Sequence, residues 1–155
     1  MKAKFDDLPV LSCIDAGSRD QLYQALVGAG NFVFEIAGKF ESVAKLFQEM
    51  RAILPLDPPL SGSVKWAAFE DSLFGGLDQL RAENVAILLH DADAFAYAEL
   101  TQLFVFVDCV LSVARLCGDP LSGITTLVKL RVILLGCGPG FVQYDGQQTP
   151  PGARL

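Results

Sequence analysis

Trp66-Ala67-Ala68-Phe69-Glu70-Asp71-Ser72-Leu73 is the stretch from which the fold of this chain is worked out. A period of 3.6 residues places Trp66, Phe69 and Leu73 on one face, the face that a helix buries. Ala67, Asp71 and Phe74 fall on the adjacent stripe, so an acid stands beside an aromatic where another molecule can touch both. The helix is expected over 63–74, ending at Gly75 and Gly76, because paired glycines are poor helix formers. Residues 55–63 hold Pro55, Pro58 and Pro59. Proline lacks the amide donor and fixes φ, so that segment is a loop.

Outward from this helix the chain alternates. Residues 18–27 read as a helix opened by Ser18 or Asp20 and closed by Gly28 and Gly30. Residues 31–37, rich in β-branched and aromatic side chains, read as a strand. Residues 41–54 carry Val43, Leu46, Phe47, Met50 and Ile53 at helical spacing, with Ser42 placed as the cap. Residues 84–89 are a short apolar run suited to a strand covered on both faces. A helix follows from residue 94. Residues 103–116 have β propensity but helical length, and both readings stand. Residues 118–123 form a loop, and 127–135 form the last strand.

Long helical crossovers between successive strands favour parallel pairing. The expected fold is therefore α/β, with helices packed on a small three-stranded parallel sheet. The main domain covers 18–140, after an N-terminal extension at 1–17. The polar, proline-containing C-terminal tail at 141–155 is either mobile or pinned to the surface.

The 155 residues suffice for one domain with a real core. Of these, 52% are hydrophobic and 19% charged, which argues against disorder. The net charge of −6 has the wrong sign for a direct nucleic-acid binder. It suits a basic partner instead, although mild acidity also serves solubility. Cys13, Cys109, Cys117 and Cys137 show no metal-ligand spacing, and His90 is the single histidine. Neither a metal nor a cofactor is expected. No apolar region follows the charged N-terminus, and residues 103–116 are too short to span a bilayer. A cytoplasmic protein with reduced thiols is the expectation.

The run from Trp66 to Leu73, together with the order of elements, resembles the barstar family of ribonuclease inhibitors and immunity proteins. The resemblance extends from about residue 18 to 136 and is most specific at the helix motif. It implies a barstar-like fold and an immunity protein or antitoxin without catalysis of its own. Such a protein occludes the active site of a cognate, basic toxin, in the first place a nuclease. It implies binding through the motif helix and the loop before it, on Ser61, Gly62, Ser63, Lys65, Ala67, Glu70, Asp71, Phe74, Gly75 and Asp78. One departure matters. The first acid of the family motif is Ala67 here, and only the second, Asp71, is kept. A toxin other than a barnase-like ribonuclease is therefore expected.

Several other groups invite a chemical reading. His90, Asp91 and Asp93 stand at a strand end, where α/β sites tend to lie. The plainer roles are a helix cap for Asp93 and turn amides for Asp91. The glycine-rich run 136–140 lacks the lysine of a phosphate loop and reads as a turn. Pairing Cys137 with His90 requires convergence in space. The alternatives to a binding module are a small enzyme or ligand binder using the strand ends, and a subunit self-associating through 103–116. As a binder the chain is expected to be a monomer or weak homodimer, away from membranes.

Overall fold

The computed structural model describes residues 8–144 and 146. Four strands and four helices follow one another as β1 (Leu11–Asp15), α1 (Arg19–Gly28), β2 (Phe32–Ile36), α2 (Val43–Ile53), α3 (Trp66–Leu80), β3 (Asn84–Leu89), α4 (Ala92–Cys117) and β4 (Lys129–Gly136). The fold is α/β, with one sheet in the order β1-β4-β3-β2 and every pair parallel.

Topology decides which helix covers which face. The chain crosses from β1 at one edge to β2 at the other, then steps back through β3 to β4. Parallel crossovers are right-handed, so reversing direction moves the helices to the opposite face. Accordingly Leu22 and Leu26 of α1 pack with Ala86, Leu88, Ile133 and Leu135 on one side. Leu46, Phe69 and Phe106 from α2, α3 and α4 pack with Val85, Ile87, Leu89 and Val132 on the other. Strands β3 and β4, covered on both faces, are apolar along nearly their whole length for that reason.

The three-strand expectation is corrected, because β1 lies inside the expected N-terminal extension at 1–17. Leu11-Ser12-Cys13-Ile14-Asp15 is short and mixes strand formers with residues of low β propensity. Its place comes from pairing along β4, with Leu11 and Cys13 towards one core and Ile14 in the other. The start of the expected tail is pinned. Asp15 N donates to Val142 O at 2.8 Å, and Tyr144 N to Ser18 Oγ at 2.9 Å. Ser18 precedes α1 but makes no capping bond with its side chain. Ser42 does cap α2, its hydroxyl accepting from Lys45 N at 3.4 Å.

α3 does not stop at the glycine pair but runs on to Leu80, closed by Arg81 in the left-handed region at φ 53°. The glycines serve a close approach instead. A Cβ on Gly76 would overlap the Pro55 carbonyl, and one on Gly75 would overlap that of Asp57. The loop lies directly on the helix there, with Asp57 N donating to Ser72 O at 2.9 Å. Gly76→Ala therefore sets a methyl against main chain that no rotamer change relieves. A loss of about 1–3 kcal/mol is expected by denaturant unfolding. An unchanged midpoint would mean that the loop lifts off freely.

Residues 103–116 are helical, as the body of the 26-residue α4. Its one break is Glu99, at φ −145° and ψ 55°. The segment 103–116 lies within a longer helix, and α4 as a whole is long and apolar enough to cross a membrane by length and composition. In this fold it packs Phe95, Leu103, Phe106, Val110 and Val113 into the core.

Candidate interaction surface

Four aromatic rings hold the start of α3. Trp66 meets Phe47 edge-on at 4.7 Å, and Phe69 lies 5.9 Å from Phe47 and 6.4 Å from Phe106. Phe69 and Leu73 are fully buried, while Trp66 is half-buried and its Nε1 donates to Gln102 Oε1 at 2.9 Å. A tryptophan placed this way buries its body and satisfies its one polar atom. With this face fixed, the period of the helix turns Ala67 and Asp71 outward, and both are exposed. Ser61, Gly62, Ser63 and Lys65 are exposed immediately before them. Six of the ten residues expected to meet a partner thus lie on solvent-facing backbone around one helix start.

The other four have contacts within the protein. Glu70 accepts a hydrogen bond from the Ser112 hydroxyl and so ties α3 to α4. Phe74 is half-buried and packs on the core, which corrects its expected outward position beside Asp71. Gly75 lies beneath the backbone of Asp57. Asp78 Oδ1 accepts from Thr125 N at 2.6 Å and holds the loop before β4.

Two residues of this surface escaped the sequence reading. Arg51 Nη1 donates to Gly62 O at 3.2 Å, while its Nε donates to Phe47 O at 3.3 Å. The end of α2 thereby fixes the loop that precedes α3, and a surface fixed in advance loses less entropy on binding. The available signal was a basic residue in the last turn of α2. Asp57 is the second. The glycine pair seats it one helical turn beyond Asp71, and its carboxylate accepts from the Gln79 amide. Through that bond the loop is also tied to the C-terminal half of α3.

At the C-terminal ends of β2 and β3, His90 turns towards Glu35 rather than towards Asp91 or Asp93. His90 Nε2 donates to Glu35 Oε2 at 2.7 Å, and Arg19 Nε donates to the same oxygen at 2.9 Å. The Arg19 guanidinium lies 4.7 Å over the Tyr23 ring. The expected cap role of Asp93 is corrected: Asp91 is the N-cap of α4, at φ 49° and without a side-chain capping bond. Asp93 stands in the first turn, where a negative charge meets the positive end of the helix dipole. Among the described residues no three His, Cys, Asp or Glu side chains are grouped to hold a metal.

Burial works to raise the pKa of Glu35, but the hydrogen bonds from Arg19 and His90 outweigh it and hold the carboxyl below its ordinary value. A depressed folded-state pKa stabilises the fold above the unfolded value and loses that contribution as pH falls through the folded one. Wild type is therefore expected to be more stable than Glu35→Gln at neutral pH, with the gap closing on acidification. Unfolding midpoints across pH check this, and a gap independent of pH would contradict it. Burial, with a smaller contribution from Glu70, pushes the Cys109 thiol up to about 11. Burial, with a smaller contribution from Asp78, does the same to Cys117. Thiols held protonated in this way are poor nucleophiles.

A cleft of about 310 Å³ between the β2–α2 loop and the start of α4 is lined by Lys39, Phe40, Glu41, Asp91, Ala94 and Ala98. His90 and Glu35 do not line it. The ionisable groups at the strand ends thus fall into two separate places. No protein-family model, curated protein or solved structure matches this chain.

Proposed function

We propose that this protein is a barstar-like immunity protein, a binding module that shields its host by covering the active site of a basic toxin. The observation that carries the reading is the two-sided start of α3. Trp66, Phe69 and Leu73 anchor it in the core, while Ala67 and Asp71 face solvent beside a loop held by Arg51. Two further features support it. The α/β layout, with β2, β3 and β4 parallel and adjacent and α2 and α3 between the first two, supports it at the level of fold class. The net charge of −6, a property of the whole chain, favours encounter with a basic protein.

In this reading Asp71 enters the positive pocket that a nuclease uses for phosphate. Ala67 offers a methyl where the family has its first acid, so shape carries more of the contact and the partner is not barnase-like. The protein acts in the cytoplasm, without cofactor or catalysis, as a monomer or weak homodimer.

Capture from a lysate of the native host, with the partner identified by mass, tests the proposal. A basic toxin whose activity falls on stoichiometric addition of this protein is the expected result. Turnover of RNA, nucleotides or esters by the purified protein, lost on His90→Ala, would favour the enzyme reading and contradict the proposal.

A further inference from the structure

The two edges of the sheet are treated differently. Along β1 the chain covers its own edge: Val142 forms a parallel bridge to Ile14, with Asp15 N donating to Val142 O and Val142 N to Cys13 O. At the other edge stands β2, Phe32-Val33-Phe34-Glu35-Ile36, paired on one side only. Four of its five residues remain at least partly exposed, and Phe32 is 51% exposed. Of the devices that blunt an edge, β2 has no lysine, no proline and no bulge, and its one charge, Glu35, is engaged within the protein.

The direction of its free main-chain groups follows from one bond. Ile36 O accepts from His90 N, directly beyond β3. The N–H and C=O of one strand residue point to the same side, and the side alternates along the chain. Phe32, Phe34 and Ile36 therefore turn their main chain to β3, and Val33 and Glu35 turn theirs outward. Among the described residues none meets those four outward groups with a main-chain hydrogen bond.

We propose that two copies of this chain pair antiparallel through β2, joining their sheets into one of eight strands. A two-fold axis at Phe34 sets Val33 opposite the partner's Glu35 and Glu35 opposite the partner's Val33. Those are the two residues with outward groups on each copy, so four main-chain hydrogen bonds close with no residue left over. Phe34 meets the partner's Phe34 at the close, non-hydrogen-bonded position, beside the existing Phe32–Phe34 ring contact of 5.4 Å. No like charges oppose one another. Glu35, the only charge in the strand, is already engaged by Arg19 and His90 and faces an apolar residue. The contact is isologous and closes at two copies.

Sedimentation of the purified chain over a concentration series tests this, with amide exchange read in parallel. The wild-type mass should climb from 16.7 kDa towards twice that value, and the Val33 and Glu35 amides should gain protection as it does. Phe32→Lys places a charge on the edge, and Val33→Pro removes an outward donor at a position where edge strands tolerate proline. Both variants should remain at 16.7 kDa with an unchanged helical signal. If Val33→Pro does not fold, Phe32→Lys decides alone. A wild type that stays monomeric throughout would overturn the proposal. So would a dimer that survives Phe32→Lys, or one abolished instead by Phe104→Glu on the outer face of α4. Amides at 33 and 35 unprotected in the dimer, or closed only by an unrelated extended peptide, would overturn it as well.

Discussion

Phe69→Ala is expected to cost about 3–5 kcal/mol, the range for truncating a fully buried aromatic. A domain of this kind has only about 5–15 kcal/mol in hand, so the variant should stand near the edge of unfolding. Phe69 is 0% exposed and its ring lies within 6.4 Å of the rings of Phe47, Trp66 and Phe106. Its removal opens a void where α2, α3 and α4 meet, and main chain held at both ends of α3 collapses only partly into it. Trp66→Ala should cost less than Phe69→Ala, since part of the indole already faces water. Chemical denaturation of both variants checks the order. If Trp66→Ala proves the costlier, the aromatic cluster is centred on the indole and the helix phase needs revision.

The parts of the fold legible in the sequence are those in which local pattern and tertiary demand agree. The helical spacing of Leu46, Phe47 and Met50 after Ser42 announced α2, and the apolar runs of β3 and β4 announced strands buried on both faces. What escaped notice is non-local. β1 is a strand because β4 offers it an edge, and nothing within Leu11–Asp15 demands one. Gly75 and Gly76 look like a helix terminator until the backbone of Pro55 and Asp57 is seen lying on them. Periodicity turned Asp71 outward correctly but placed Phe74 beside it, where packing against the core half-buries the ring. Glu70 and Asp78 looked available because their partners, Ser112 and Thr125, stand 42 and 47 residues away in the chain. Arg19, Glu35 and His90 likewise converge from three separate elements, and spacing carries no trace of that.

Asp71→Lys bears on function rather than fold. Asp71 is exposed, so reversing its charge leaves the core untouched and the unfolding midpoint close to wild type. In a complex that buries this carboxylate against a basic group, the change removes an attraction and adds a repulsion. Losing one partner of such a pair costs about 2–5 kcal/mol, roughly thirty-fold to several thousand-fold in affinity. The loss should fall on complex lifetime if Asp71 is buried in the complex, and on association rate if it lies at the rim.

Dissociation constants of wild type and Asp71→Lys for the captured toxin, measured side by side with their unfolding midpoints, therefore probe the proposed binding face most directly. A loss of at least about thirty-fold in affinity at an unchanged midpoint is expected if Asp71 is held in the proposed contact, and with it the loss of protection. Equal affinity for the two proteins would contradict it, and the surface running from Ser61 to Asp71 would then not be where the toxin is held.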